Sequence, residues 1–464
     1  MLEHLNPARV FYYFEQLCAI PHGSGNTKAI SDYCVGIANT LGLEVMQDEW
    51  NNVLIRKPAA NGYEDHPPVI IQGHLDMVCE NDADCDLDFM KDGLCLAIDG
   101  DWVYAKQTTL GGDDGIAVAM ALAVLEDKSL PAPAIEALFT TDEETGMDGA
   151  VGLDCSPIHG RLLLNIDSEE EGVLTVGCAG GARVDVAFSL EQQEGRGKGY
   201  VVEVSGLRGG HSGVEIGTGR YNANNIMGKF LHSLGNITLC EIEGGTKDNA
   251  ITRSCRAVIV TEADVVSAAE SFVKENYNAN DPDFTITVKE IEKQNGYQAD
   301  AVIRFLATVP SGVTAMSADI EGLVETSLNL GILSMKDGQV QGRFSVRSGI
   351  NAKRDALCKT VMSLANDCGG ETQKGSEYPA WEYRKQSPLQ DIMVAVYREM
   401  YQQEPQVLTI HAGLECGLFC EKMEGLDAVS FGPNIEEIHT SRERLSISST
   451  ARTYEYLCHI LKEL

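Results

Sequence analysis

Apolar runs in the first part of this chain repeatedly break off in acids or an imidazole. The stretch VIIQGHLDMV (69–78) is apolar over 69–71 and then releases His74 and Asp76, one residue apart. At the exit of an extended segment that spacing sends both side chains to the same side, where they can share one site. AIEALFTTDEE ends in Glu143 and Glu144, RLLLNIDSEEEG in Asp167, and LGGDDG carries Asp113 and Asp114 into an apolar helix. Much later, AVSFGPNIEEIH runs into His439.

The pattern around these runs predicts further elements. An amphipathic helix over 7–18 stops near Pro21, and the turn PHGSGNT offers Asn26 or Thr27 as a cap for a second helix that Gly42 ends. LEVMQDEW and NNVLIRKP read as strands, and LCLAIDGDWVYA as a hairpin with Asp99 and Gly100 in its turn. GIAVAMALAVLED is apolar nearly all round and reads as a buried helix. Short apolar strands alternating with helices predict an α/β domain with a doubly wound mixed sheet, whose sites form at the carboxyl ends of strands.

Beyond the GCAGG turn the pattern changes to shorter alternating strands such as ARVDVAFSL and YVVEVSGL. This predicts a second, α+β domain over 182–384, inserted between the first part (1–181) and the second part (385–464) of the first domain. His439 lies far along the chain from His74, so the last part must return to the first domain if both serve one site.

Composition narrows the partners. The 36 Lys and Arg against 69 Asp and Glu give a formal net charge of −33, which repels nucleic acid and anionic lipid. The N-terminus lacks the basic-then-apolar pattern of a secretory signal, and no apolar run reaches the ~20 residues of a membrane span, so a cytoplasmic location is expected. The 14 cysteines show no CxxC pairs and read as reduced, buried small hydrophobes.

His74, Asp113, Glu144, Asp167 and His439 supply two imidazoles and three carboxylates, the inventory for two zinc ions and a bridging water. Two acids beside them remain. Asp76 would hold the His74 ring, and Glu143 would take a proton from the water and deliver it to a leaving amine. Adjacent acids on a strand point oppositely, so Glu143 and Glu144 need a backbone turn between their roles, which the following Gly146 would supply.

GHLDMV, TTLGGDDGIAVAMALAVLED, TTDEETGMDGA, NIDSEEEG, GLRGGHSG, NAITR, HAGLECGLF and the GPN…H segment occur in one order over 70–440. In this the chain resembles the bacterial aminoacyl-histidine dipeptidases, within the di-zinc exopeptidase group that includes carboxypeptidase G and peptidase T. The resemblance implies that Asp113 bridges two metals, that His74 and Asp167 complete one ion and Glu144 and His439 the other, and that Glu143 is the general base. It further implies a cis peptide between Asp113 and Asp114, an inserted domain acting as a lid, and two Zn²⁺ per chain, with Mn²⁺ or Co²⁺ able to occupy the same ligands. The chain departs from close relatives in having Asp114 where they commonly carry Asn, and Thr440, Ser441, Arg442 and Glu443 where they commonly read Ser-Pro-Asp-Glu.

An exopeptidase must recognise a free terminus, and Arg suits a carboxylate. Arg253 and Arg347 are the candidates, and the resemblance adds Asn249 beside Arg347. It also implies that His211 of the glycine-rich GLRGGHSG reaches the substrate carbonyl. Glu415 is a candidate for the substrate's amino group, whereas His22 and His411 read as structural. The expected activity is metal-dependent hydrolysis of dipeptides, Xaa-His dipeptides foremost, by a chain free to form a homodimer. A tripeptidase, an N-acyl amino acid hydrolase or a non-catalytic metal- or peptide-binding relative are the alternatives.

Overall fold

The structure, a computed structural model, describes residues 1–2 and 4–464. Its contacts divide the chain into two compact units, one formed by Met1–Gly177, Tyr383–Thr409 and Leu414–Leu464, the other by Cys178–Glu382 and Ile410–Gly413. The sequence pattern placed the breaks at 181/182 and 384/385; the structure adds a brief return, Ile410–Gly413, to the second unit.

The first unit is built on an eight-stranded sheet in the order Glu44–Gln47, Val53–Lys57, Ile135–Thr140, Val69–His74, Leu162–Asn165, Asp427–Ser430, Val173–Cys178, Gln406–Ile410. Val69–His74 runs parallel to both neighbours, pairing His74 with Thr140 on one side and Gln72 with Asn165 on the other. Every residue of Val69–His74 and of Ile135–Thr140 is buried, as continuous apolar runs require of strands covered on both faces. Antiparallel strands flank the parallel centre, so the sheet is mixed.

Helix Gly112–Glu126 packs on strand Val69–His74 and on helix Ala8–Cys18, and its burial on all sides explains its lack of a polar face. Close approach to the strand depends on Gly73, where a Cβ would come within 2.5 Å of Asp114 Oδ2 and 2.6 Å of Ala117 Cβ. The core joins Phe14, Ile116, Leu122 and Phe139 across these layers. The hairpin Leu96–Asp99 and Trp102–Ala105 forms, but Asp99 pairs with Trp102, so Gly100 and Asp101 make the turn and the expected place for Asp99 moves by one residue. Gly42 ends helix Lys28–Leu41 in the left-handed conformation, whereas Thr27 stands at its start without a capping side-chain bond, correcting that expectation.

The second unit carries an antiparallel sheet whose main path is Thr285–Ile291, Lys198–Ser205, Cys255–Thr261, Thr238–Gly244, Val324–Lys336, Gln339–Ser348, Gly180–Ser189, Glu371–Tyr378. Helices Ala223–Ser233, Asp300–Thr308 and Asn351–Asp367 pack with it around Phe230, Phe305 and Phe344. A two-stranded ribbon, Gly210–His211 with Ala250–Ile251, stands apart from that sheet. Among the described residues no helix is long and apolar enough to cross a membrane.

Candidate metal centre

Three adjacent parallel strands deliver acids or an imidazole to one end of the sheet. His74 closes its strand, Glu143 and Glu144 begin the short helix Glu143–Gly146 just beyond Ile135–Thr140, and Asp167 follows Leu162–Asn165. Asp113 enters at the head of Gly112–Glu126, where Asp113 and Asp114 have non-helical backbone angles and a cis peptide between them, as the resemblance implied. His439 comes from the tip of a hairpin formed by Ile435–Glu436 and Arg444–Ser446. That hairpin is tied by Arg444–Ser446 to Trp102–Ala105.

The five expected ligands meet. His74 Nε2 lies 3.1 Å from Asp113 Oδ1 and 3.7 Å from Asp167 Oδ1. His439 Nε2 lies 3.3 Å from Asp113 Oδ2 and 3.1 Å from Glu144 Oε1. Asp113 therefore turns one oxygen to each imidazole. Ligand atoms of His74, Asp113 and Glu144 all fall within 4.8 Å of one another, as do those of His74, Asp114 and Asp167. Asp114 was absent from the expected set. Its carboxylate accepts the His74 backbone N–H at 3.2 Å, and its place after Asp113 in LGGDDG was the one available signal.

The turn at 142–147 differs in origin from the expectation. Gly146 does not supply it; Asp142 (φ 57°) and Met147 (φ 62°) adopt the left-handed conformation instead. A non-glycine residue held there carries a conformational cost of order ~1–3 kcal/mol, which the bonds around it must offset. His439 itself sits at φ 59°.

Asp76 also departs from expectation. His74 Nδ1 bonds the backbone carbonyl of Asp76 at 3.0 Å, while the Asp76 carboxylate is 3.5 Å from that nitrogen. The carboxylate instead accepts the backbone N–H of Glu143 at 3.1 Å, that of Glu144 at 3.4 Å and the Ser24 hydroxyl at 2.7 Å. Asp76 touches the acid turn as well as the imidazole, so the expectation that it would touch His74 alone is corrected. Ser24, read from sequence only as part of a turn, had no signal marking it as a partner.

Charge in the cluster is unevenly supported. Burial works against an ionised Asp113, but the His439 and His74 imidazoles outweigh it and hold this carboxyl below the usual range. Burial alone would depress His74; Asp113 and Asp76 reverse that and raise it well above an ordinary imidazole. Asp113 and Glu144 push His439 up to about 10. Burial raises Asp114 and Asp167 well above ordinary carboxyls, and it raises Glu143 to about 8, with Glu415, Glu144 and Asp113 adding repulsion. Crowded acids and imidazoles that retain protons mark a place where positive charge is stabilised. Imidazole nitrogens and carboxylate oxygens are zinc-type donors, so a divalent cation fits this donor set.

Glu415 lies beneath the cluster rather than open to it. Its side chain is fully buried, its Oε2 accepts from Gln72 at 2.7 Å and Thr140 at 2.6 Å, and its Oε1 has no partner among the described residues. The expected contact with a substrate amino group is thereby corrected; burial brings this carboxyl up to about 7. His22 is buried and bonds the Ile20 carbonyl through Nδ1 at 2.5 Å.

In the second unit, the ribbon pairs His211 with Ala250, beside an exposed Asn249 whose carbonyl accepts the Ser212 N–H at 2.8 Å. His211 Nδ1 accepts the N–H groups of Gly213 at 3.2 Å and Val214 at 3.3 Å. A ring nitrogen that accepts two N–H groups carries no proton, which leaves Nε2–H as the donor. Burial, with the Arg347 guanidinium nearby, lowers His211 below an ordinary imidazole. Arg347 donates Nη1–H to Tyr378 at 2.8 Å, and its buried Nε has no partner among the described residues. His411 is buried and bonded to Ser327 at 2.8 Å; burial and Arg347 bring it down to about 4. Arg253 is exposed, and a Cβ on Gly209 would come within 2.3 Å of its Cγ.

A mixed α/β sheet with imidazoles and carboxylates gathered at its parallel centre, accompanied by an inserted antiparallel sheet, defines a metallopeptidase type of enzyme. The model of Peptidase family M20/M25/M40 matches residues 70–463, and the chain belongs to that family. It is 36% identical to the cytosol non-specific dipeptidase of Escherichia coli (strain K12), covering 100% of this chain and 99% of that one. Its fold matches the crystal structure of aminoacylhistidine dipeptidase from Vibrio alginolyticus with a TM-score of 0.95 at 35% identity, covering 100% of this chain and 98% of that one. Aminopeptidase PepT from Bacillus cereus shares the fold at a TM-score of 0.59 and 18% identity, covering 99% of each chain.

Proposed function

We propose that this chain is a metal-dependent dipeptidase that cleaves dipeptides, Xaa-His dipeptides among them, with two divalent ions, zinc foremost. The observation that carries the reading is Asp113, whose two carboxylate oxygens lie 3.1 and 3.3 Å from the imidazoles of His74 and His439. A carboxylate placed so is suited to bridge, with His74 and Asp167 on one side and Glu144 and His439 on the other. The names of the Escherichia coli and Vibrio alginolyticus relatives support dipeptides as substrates, and the former supports a cytosolic location.

Bound ions would polarise the scissile carbonyl and ease deprotonation of water. The chain supplies the rest. His74 is held with Nδ1–H on the Asp76 carbonyl, so Nε2 is the nitrogen turned to the cluster and the one that would hold an ion. Glu143, its backbone anchored by Asp76, takes a proton from the attacking water and returns it to the departing amine. To His211 we assign a hydrogen bond from Nε2–H to the developing oxyanion, and to Arg347 the substrate carboxylate, with Asn249 and Arg253 as further contacts. In this reading the unit Cys178–Glu382 is the inserted substrate-recognition lid.

A panel of Xaa-His and other dipeptides, tripeptides and N-acetyl amino acids, assayed with and without added zinc, tests the reading. Zinc-dependent turnover fastest on dipeptides is the expected result. Faster cleavage of tripeptides or N-acetyl amino acids would replace it with a tripeptidase or deacylase.

A further inference from the structure

Glu443 closes the hairpin tip that carries His439, yet its side chain turns inward and the residue is only 3% exposed. Its carboxylate is filled by backbone N–H groups from one short segment. Oε2 accepts from Leu110 at 2.8 Å and Gly111 at 3.2 Å, and Oε1 from Gly112 at 2.8 Å and Asp113 at 3.3 Å. Successive amides pointing at one anion form a nest, a concavity of partial positive charge. The local sequence builds it. Gly111 takes the left-handed conformation (φ 66°), and a Cβ on Gly112 would lie 3.2 Å from Glu443 Oε1.

This binding ties two segments together. One contains Asp113, whose own N–H is among the donors, and the other contains His439, four residues before Glu443. We infer that Glu443 is a positioning residue that sets the spacing of Asp113 and His439 and thereby the affinity for the ion they share. The inference rests on the ligand roles proposed above for those two residues.

The test uses the full-length protein stripped with a chelator and titrated calorimetrically with Zn²⁺ alone, alongside dipeptide kinetics at saturating Zn²⁺. Glu443→Gln replaces one accepting oxygen by an NH₂ that faces two N–H groups. Its affinity for one ion should fall about 10- to 100-fold, while kcat at saturating Zn²⁺, where the site is filled, should fall by less, with KM unchanged. Unchanged ion affinity and kcat would overturn the inference. A lower melting temperature of the metal-free protein with both unchanged would overturn it too, as the mark of a purely structural role. Should Glu443→Gln fail to fold, Gly112→Ala decides: a smaller loss of the same ion affinity supports positioning, and full affinity refutes it. Asp113→Asn separates the two levels of argument, because full zinc affinity in that variant would remove the ligand assignment itself, whatever Glu443→Gln does.

Discussion

The carboxylate of Asp76 accepts the backbone N–H of Glu143 at 3.1 Å, so the residue that follows His74 by two positions also anchors the acid turn beyond the neighbouring strand. Its other oxygen is held by Ser24 at 2.7 Å. Because His74 Nδ1 leans on the Asp76 carbonyl, Asp76→Asn keeps the ring's principal partner. It replaces one acceptor by an amide NH₂ that cannot accept from Glu143 or Ser24. Metal content should stay unchanged while kcat falls about 10- to 100-fold. Metal analysis together with steady-state kinetics checks this; loss of metal in step with kcat would return Asp76 to a role on His74 alone.

Glu143→Gln removes the proposed base and preserves shape. Loss of general acid–base catalysis predicts a fall in kcat of about 100- to 10,000-fold. Zinc affinity should be retained, since the imidazole distances place His74, His439, Asp113 and Glu144 together without Glu143. Calorimetric zinc titration of the variant, beside its kinetics, is the measurement.

Much of this was written in the apolar runs. Val69–His74 and Ile135–Thr140 are buried on both faces, so their burial showed as unbroken hydrophobicity, and their carboxyl ends marked the site in advance. Gly42 likewise announced a helix end, because a positive φ favours glycine. Illegible were features set by tertiary context. Asp142 takes a left-handed conformation that the sequence had led one to assign to Gly146. Glu415 looks like any acid at a helix start, but it is sealed between Gln72 and Thr140, residues hundreds of positions away. Glu443 finds its partners at 110–113, and no local pattern announces a carboxylate bound by distant backbone amides.

Metal and pH should act together on stability. Glu143, normally near 4.5, is raised to about 8, and His439, normally near 6.5, to about 10; Asp114, Asp167 and His74 are raised as well. A group whose folded pKa is raised binds its proton more tightly when folded, so its contribution is present below the unfolded pKa and lost as pH rises through the folded one. Asp113 is lowered, and its contribution is lost only on acidification, below this window. The metal-free protein should therefore lose stability between about pH 5 and pH 8. Zinc replaces the protons, so the melting-temperature gain on adding zinc should be larger at pH 8 than at pH 6. At 100 times Kd a single ion adds about 2.7 kcal/mol. Thermal melts with and without chelator at the two pH values measure this; an equal gain at both would contradict it.

His211 should act as a neutral donor. Its Nδ1 is occupied by the amides of Gly213 and Val214, and the Arg347 charge disfavours a second proton, so Nε2–H is the group available to an oxyanion. His211→Ala should lower kcat about 100- to 1,000-fold, the scale for loss of one oxyanion donor. His211→Gln, which retains an N–H donor, should lose less, and neither should alter zinc affinity. The tautomer is read separately from ¹⁵N-histidine spectra of the full-length protein at pH 8, with the His211 signals identified by their absence in His211→Gln. A protonated Nε2 beside an accepting Nδ1 is expected. A protonated Nδ1 would show that the Gly213 and Val214 amides do not bind the ring, while normal kcat in His211→Ala would remove His211 from the reaction altogether.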